Sequence, residues 1–218
     1  ARECLEVLRD TLLNIPGTRW VLCGALGIVH GVASSPRLDG YLHRPIEVKD
    51  LGHDLAPDIF ETRVGALRVR ADAWLPMNVD QFVKLFEIYR GNLRTVLASC
   101  DEFCAWVAES YDSPGMFDET LFDEWLNEEM HNAFQAVKSE LRPKAFEVFE
   151  LACKMEVFSP SDCTEFGYRT PMALRPQIKA LEDVGILVST QDDSDKRRKT
   201  IQVTPKGWKV RRYLERQA

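Results

Sequence analysis

Several features common in other classes of protein are missing from this sequence. No apolar run approaches the roughly 18 to 20 residues that span a bilayer, and the first residues do not form a signal-peptide pattern. The six cysteines and four histidines do not include two Cys or His pairs at metal-ligand spacing. No Ser/His/Asp or Cys/His arrangement stands out. These absences predict a cytoplasmic protein with reduced cysteines, no membrane span, no metal site and no catalytic residues.

One pair of cysteines could supply two metal ligands. Cys100 and Cys104 lie four residues apart in a segment with helical periodicity, which places both thiols on one helix face. Because no second pair accompanies them, the sequence favours two thiols packed in an apolar core.

Charge is distributed unevenly along the chain, whose net charge at pH 7 is −6. Residues 1–140 carry 13 Lys and Arg against 23 Asp and Glu, whereas residues 141–218 carry 15 against 11. The basic C-terminal part suits a polyanion, and the acidic part would be repelled by one. The change of sign also predicts a domain boundary near residue 140.

The basic part has the pattern of three helices, a β-hairpin and a closing helix. Three helix starts carry a proline in their first turn, at Pro143, Pro160 and Pro171. Glycines follow the second and third helices, at Gly167 and Gly185. Two β-branched runs, 186–190 and 200–204, flank a hydrophilic run whose centre, 195–199, is cationic. A cationic hairpin tip of this kind is suited to gripping a phosphate backbone.

This C-terminal segment resembles the winged helix of the MarR family. The resemblance rests on the order and spacing of Gly185-Ile186-Leu187-Val188, Asp192, Asp195-Lys196-Arg197-Arg198 and Val203-Thr204-Pro205-Lys206-Gly207. It implies that Asp195 braces the wing and that Arg197 inserts into the minor groove of duplex DNA. Arg198 and Lys199 would then support the wing on phosphates, with Lys196 in the same cationic tip.

The third helix of the segment is the presumed recognition helix, which would lie in the major groove. Its polar candidates for contacting DNA are Arg169, Thr170, Arg175, Gln177 and Lys179. Pro176 departs from the family pattern, because a proline removes a backbone hydrogen bond from a helix interior. We therefore expect the helix either to start at Arg175 or to be bent.

The N-terminal part resembles the end of an AAA+ or related P-loop ATPase core. Residues 19–23 form an apolar run that we predict to be a buried strand, and residues 45–48 predict a second strand. The run Trp20-Val21-Leu22-Cys23-Gly24 is similar to the sensor 1 strand, and Leu42-His43-Arg44-Pro45 to the start of the final core strand. Gly91-Asn92-Leu93-Arg94 resembles sensor 2 at the start of a helical lid. The resemblance implies nucleotide-sensing roles for Arg94, close to the γ-phosphate, and for Arg44 or Arg37, close to a neighbouring subunit's nucleotide.

The motifs that would carry out ATP hydrolysis are absent. The sequence has no Gly-x-x-x-x-Gly-Lys-Ser/Thr loop and no apolar strand that ends in Asp-Glu. Asp101-Glu102 lies in the middle of a predicted helix, and Gly24-Ala25 replaces the usual polar residue of sensor 1. We therefore expect no enzyme activity and no cofactor in this chain, which would be part of a larger ATPase that binds ATP and magnesium.

Helical periodicity dominates the middle of the chain. It predicts helices at 57–67, 78–89 and 92–108, although 64–69 could also be extended. A strongly acidic helix follows at 117–139, with an apolar stripe that could pack in a core or bind a partner. The overall expectation is a mainly α fold with small β content, of the α+β class. Its parts are an incomplete ATPase core (1–52), a helical lid (53–114), an acidic linker helix (115–140) and a winged helix (141–218).

Two functions are compatible with this organisation. The first is a DNA-binding module of an ATPase-type protein, with the third helix in the major groove and the wing on the backbone and minor groove. The second is a protein-interaction or oligomerisation unit, in which the winged helix docks on the lid or on a sibling subunit. The acidic helix 117–139 would be the docking surface in the second case.

Overall fold

The computed structural model describes residues 2–24, 38, 41–43, 46, 51–70, 73–111, 120–191 and 199–217. The chain divides into two compact units, residues 1–49 with 190–200 and residues 50–189 with 201–218. The described residues are mainly helical and include a small three-stranded antiparallel sheet. This composition confirms the predicted α+β class with predominant helix.

The first unit contains helix α1 (Arg2–Thr11). The predicted strand at 19–23 is wrong, because these residues have no regular structure and Val21 is 87% exposed. Of the second predicted strand only Ile46 is described, and it is non-regular and 92% exposed. An apolar run becomes a strand only where a neighbouring strand completes its backbone hydrogen bonds. None of the described residues before 50 provides such a neighbour.

The second unit begins with three helices, two of which start at a side-chain cap. Helix α2 (Ala56–Leu67) follows the 3-10 turn His53–Leu55, and Arg68 after it is extended. Helix α3 (Val79–Ile88) starts with a capping box in which Asn78 and Gln81 each bond to the other's backbone N–H. Helix α4 (Leu93–Ser110) starts where the side chain of Asn92 accepts from the Thr95 N–H. These bounds confirm the three predicted helices.

Helix α5 (Thr120–Lys138) covers most of the predicted acidic helix and completes an apolar cluster with α2, α3 and α4. We call this cluster the helical core, which includes Phe82, Leu85, Phe86, Val96, Phe103, Phe122, Trp125, Leu126 and Met130. The rings of Phe103 and Phe122 meet edge to face with centroids 5.1 Å apart. On the surface, the Lys84 ammonium of α3 pairs with the Asp123 carboxylate of α5.

The remaining elements form the C-terminal module, residues 142–217. In chain order they are α6 (Pro143–Met155), β1 (Val157–Phe158), a 3-10 turn (Pro160–Asp162), α7 (Pro171–Asp183), β2 (Leu187–Gln191), β3 (Lys199–Val203) and α8 (Pro205–Gln217). The strands are ordered β1-β3-β2, and β1 pairs antiparallel with β3, with Val157 opposite Gln202. The first and third helices, the β2–β3 hairpin and the closing helix follow the predicted order. The predicted second helix, ending at Gly167, is wrong, because only the 3-10 turn Pro160–Asp162 forms there, and strand β1 was not predicted.

A second apolar cluster, the module core, lies among α6, α7 and the sheet. It includes Ala145, Val148, Phe149, Ala152, Leu174, Ile178, Leu181, Ile186, Ile201 and Val210. The first four lie at helical spacing on one face of α6. Trp208 on α8 packs against both the module core and the helical core.

The start of α8 is fixed tightly against the end of α7. The Thr204 hydroxyl donates to the Gly185 carbonyl at 2.7 Å and accepts from the Gly207 N–H at 3.1 Å. A Cβ atom on Gly207 would lie 2.5 Å from the Ile186 carbonyl oxygen, so only glycine permits this approach.

Candidate nucleic-acid interface

Helix α7 is amphipathic, and its two faces have different environments. Leu174, Ile178 and Leu181, at helical spacing, are buried in the module core. The opposite face is exposed to solvent and includes Met172, Arg175, Pro176 and Lys179. The helix therefore presents one continuous side outward while the other is anchored.

Four of the five DNA-contact candidates of the third helix lie on exposed surface, in α7 or just before it. Arg169, Thr170, Arg175 and Lys179 are exposed, whereas Gln177 is only partly exposed. Thr170 also serves as the N-cap, since its hydroxyl oxygen accepts from the Ala173 N–H at 3.3 Å. The helix thus begins at Pro171 with its free N–H groups beside Arg169 and Thr170.

The exposed cations of this surface make no ion pairs within the described part of the chain. The acids of α7 itself are Glu182 and Asp183, and the exposed Glu165 precedes Arg169 by four residues. Glu182 is partly buried and accepts a hydrogen bond from the Ser189 hydroxyl, while Asp183 is exposed at the far end of α7. The N-terminal half of the outward face is therefore positive, and the helix dipole adds partial positive charge at the same end. We call Arg169, Thr170, Arg175 and Lys179 the α7 surface.

Pro176 lies inside α7 rather than before it. Since the helix begins at Pro171, the expectation that it starts at Arg175 is wrong. Pro176 is exposed on the outward face, and its ring leaves the Met172 carbonyl without the usual helical donor. The early start is explained by the Thr170 cap and the proline at the first helical position.

The cationic hairpin tip lies mostly outside the described residues. Asp195, Lys196, Arg197 and Arg198 belong to the segment 192–198, and their predicted roles stay predictions. Lys199 is described: it is the first residue of β3 and is exposed. The strands on either side of the tip are in place, which confirms the predicted hairpin.

The cations of α8 have a different environment that the sequence did not predict. Lys209 lies 2.6 Å from the Glu129 carboxylate of α5 and 3.9 Å from that of Glu102 on α4. Arg211 and Arg212 both pair with Glu215, at 2.9 and 3.4 Å. The complementary charges of α5 and α8 are visible in the sequence, but nothing local in it shows that these helices meet.

Aromatic contacts reinforce the packing of α8 on α5, which is the most extensive contact between described elements. The Tyr213 ring stacks on Phe134 with centroids 4.7 Å apart. The Tyr213 hydroxyl also lies 3.1 Å from the His131 Nδ1. Part of α8 is therefore buried by the acidic helix, while the α7 surface stays in solvent.

Burial and charge together set the protonation of the Lys209 site. Burial lowers the pKa of Lys209, but the nearby Tyr89 hydroxyl and the Glu129 and Glu102 carboxylates outweigh it, so the pKa is raised. For Tyr89, by contrast, burial raises the pKa, and its hydroxyl accepts a hydrogen bond from the Ser99 hydroxyl at 2.9 Å. Lys209 is therefore a charged group held within the fold by its acidic partners.

The two cysteines on α4 are partly buried, and Cys100 packs against the helical core as expected. Burial raises the pKa of Cys100 to about 12 and also raises that of Cys104, so neither is a thiolate at neutral pH. Among the described residues no group of three or more His, Cys, Asp or Glu side chains could hold a metal ion.

The arginines expected to sense a nucleotide are not brought together by the described residues. Arg94 is exposed in the first turn of α4 and makes no ion pair in the described part of the chain. Arg37 and Arg44 lie outside it. Their roles stay predictions.

None of the helices within the described ranges is both long and apolar enough to cross a bilayer. Comparison with protein-family models, curated proteins and solved structures found no match to this chain.

Proposed function

We propose that the C-terminal module is a winged helix-turn-helix that binds duplex DNA. Helix α7 would enter the major groove, and the β2–β3 hairpin would place its cationic tip on the backbone and minor groove. Electrostatic attraction to phosphates would supply most of the affinity.

The observation that carries this proposal is the solvent position of the α7 surface. Its three cations are exposed and make no ion pairs within the described residues, while the apolar side of the same helix is anchored in the module core. A helix that binds DNA must be fixed on one side and cationic on the other, since it needs both a rigid support and attraction to phosphate.

The experiment that tests it measures affinity for a fluorescent DNA duplex by anisotropy over a range of salt concentrations. The variant Arg175→Ala/Lys179→Ala should lose about 10- to 100-fold in affinity, and the dependence of affinity on salt should become shallower. Both side chains are exposed, so the free energy of unfolding should stay the same.

The matched control is Arg63→Ala/Arg94→Ala, which removes two exposed cations from α2 and α4. The net charge of both double variants is the same. If they lose affinity equally, only net charge matters and the proposed α7 surface is wrong. If the unchanged protein does not bind duplex DNA at low salt, the proposal as a whole is wrong.

A second candidate, protein interaction through docking of the module, is favoured by the packing of α8 on α5. This contact uses Lys209 and Tyr213 and leaves the α7 surface exposed. The two functions differ over whether the acidic helix also covers the wing. A zero-length Lys–carboxylate crosslinker should join Lys209 to Glu129 in either case, whereas a crosslink between Lys199 and Glu128 would favour docking of the wing.

A further inference from the structure

A cavity of about 330 Å³ lies in the second unit, between the end of α3 and the face of α8. Three guanidinium groups line it, from Arg90, Arg211 and Arg212, against the two carboxylates of Glu87 and Glu215. The lining therefore has an excess of positive charge. Its volume is at the lower end of the range that holds small organic ligands.

The guanidinium groups have many more donors than the carboxylates use. Each group carries five N–H donors. Arg211 bonds to Glu215 through its Nε, and Arg212 bonds to the same carboxylate through one Nη. The Arg212 Nε is buried and has no hydrogen-bond partner in the described part of the chain. Glu215 thus holds both arginines in place while most of their donors stay available.

The backbone around the third arginine is held in an unusual conformation. Arg90 has φ of +53°, in the left-handed region, and Gly91 after it has φ of +77°. The partner of Arg90 is Glu156, at 3.7 Å, which has φ of +62° and ψ of −49°. Positive φ is strained for both of these non-glycine residues, and such strain is concentrated at functional sites. The two residues are therefore held in position by the surrounding fold.

One wall of the cavity is aromatic. The Arg90 guanidinium carbon lies 5.2 Å from the centre of the Trp208 ring, a cation–π contact that fixes the arginine side chain. His53 also lines the cavity, and its ring meets that of Phe86 edge to face. The three arginine side chains are therefore positioned without a ligand. Glu215 holds Arg211 and Arg212, and Glu156 and Trp208 hold Arg90.

We propose that this cavity is a binding site for a phosphate group, either as the free ion or as part of a small phosphate ester. Planar guanidinium groups suit phosphate because they offer pairs of parallel N–H donors to its oxygens. Binding would join Arg90, at the end of α3, to Arg211 and Arg212 on α8. The site is separate from the α7 surface, so it would sense a small molecule rather than bind DNA.

The test uses the whole chain without DNA and replaces sodium chloride by sodium phosphate at constant ionic strength. The arginine Nε–H signals are followed by ¹H–¹⁵N NMR. We expect a saturable shift of the Arg212 signal at millimolar phosphate. Arg90→Lys, which keeps the charge but loses the fork of donors, should weaken binding about tenfold or more. Arg212→Gln should do the same, followed through the Arg211 signal.

Arg216→Gln is the control, since Arg216 is exposed one turn further along α8 and does not line the cavity. Its phosphate titration should match that of the unchanged protein. A shift that rises linearly without saturation, or that is equal in Arg90→Lys and in the unchanged protein, would overturn the proposal, because it would reflect a general salt effect.

Phenyl phosphate provides a second titration that distinguishes the two sources of phosphate. Tighter binding than inorganic phosphate would identify an ester whose ring contacts Trp208, and equal binding would identify the free ion. A loss of duplex affinity in Arg212→Gln as large as that of the α7 double variant would overturn the proposal. It would place these arginines in the DNA interface instead. Phosphate binding can fail while DNA binding holds, since the two are measured separately.

Discussion

Helices α7 and α8 both carry basic residues, but these residues have opposite environments. Arg175 and Lys179 on α7 are in solvent and make no ion pairs within the described residues. Lys209 and Arg211 on α8 each contact a carboxylate. A cation in solvent contributes little to the fold and can bind a polyanion, whereas a largely buried cation such as Lys209, paired with carboxylates of neighbouring helices, contributes to helix packing. Residue type alone therefore does not identify the cations that bind a partner.

Because the basic residues of α7 and α8 differ in environment, we expect their substitution to change different properties of the protein. Substitutions on α8 should change the free energy of unfolding, and substitutions on α7 or on the hairpin tip should change DNA affinity. The predictions that follow test this separation in turn.

Lys209→Ala should lower the free energy of unfolding by about 2 kcal/mol, because it leaves Glu129 and Glu102 facing each other without their cation. A fully buried pair would lose more, but the Glu129 side chain is 36% exposed and partly screened by water. Lys179→Ala should change the free energy of unfolding by less than about 0.5 kcal/mol. Urea unfolding measures both variants. Equal losses would mean that the contrast between the two helices is wrong.

Arg197→Ala should weaken duplex binding by about 1 kcal/mol and reduce the slope of log affinity against log salt by about one. This prediction depends on the resemblance of the hairpin tip, since residue 197 lies outside the described part of the chain. Anisotropy titrations at several salt concentrations provide the measurement, and unfolding should stay unchanged. An unaltered affinity would remove the wing from the proposed interface.

Stability should fall as pH rises above about 10, owing to Lys209 and Tyr89. The pKa of Lys209 is raised by its partners, so its stabilisation is full below the pKa in the unfolded chain and is lost as pH rises through the higher folded value. Tyr89 acts in the same direction. Burial raises its pKa in the folded protein, so as pH rises its hydroxyl loses the proton first in the unfolded chain. Unfolding at pH 9 and pH 11 should therefore show a smaller difference in Lys209→Ala/Tyr89→Phe than in the unchanged protein. An equal difference would contradict this.

Glu156→Gly should leave stability unchanged or raise it by at most about 1 kcal/mol. Glycine relieves the positive φ of this residue, while the ion pair with Arg90 is exposed and contributes little. Glu147→Gly in the middle of α6 is the control, and it should lose about 1 kcal/mol because its backbone is helical. A similar loss at both positions would show that Glu156 is needed as a carboxylate.

Local signals in the sequence were enough for the long helices after residue 50 and for the β2–β3 hairpin. Asn78, Asn92 and Thr170 act as caps, and each lies beside the predicted helix start. The start of α7 was uncertain from the sequence because Pro176 weighs against an early start and the Thr170 cap in favour of it. In the structure the cap and Pro171 determine the start.

Signals that depend on distant residues were not available from the sequence. Residues 19–23 have the composition of a buried strand, but among the described residues no neighbouring strand pairs with them. Of the predicted DNA contacts, the exposure of Arg175 and Lys179 followed from helical periodicity. The pairing of Lys209 with Glu129 could not be predicted, because it joins residues 80 positions apart.

That separation of 80 residues has a consequence for synthesis on the ribosome. Glu129, His131 and Phe134 leave the ribosome long before Lys209 and Tyr213, which will cover them. Until then the nascent chain exposes these side chains of α5, which lie beside the helical core. Contacts between such distant residues form late and slowly. We therefore expect a partly folded nascent chain to gain protease resistance abruptly once α8 has emerged.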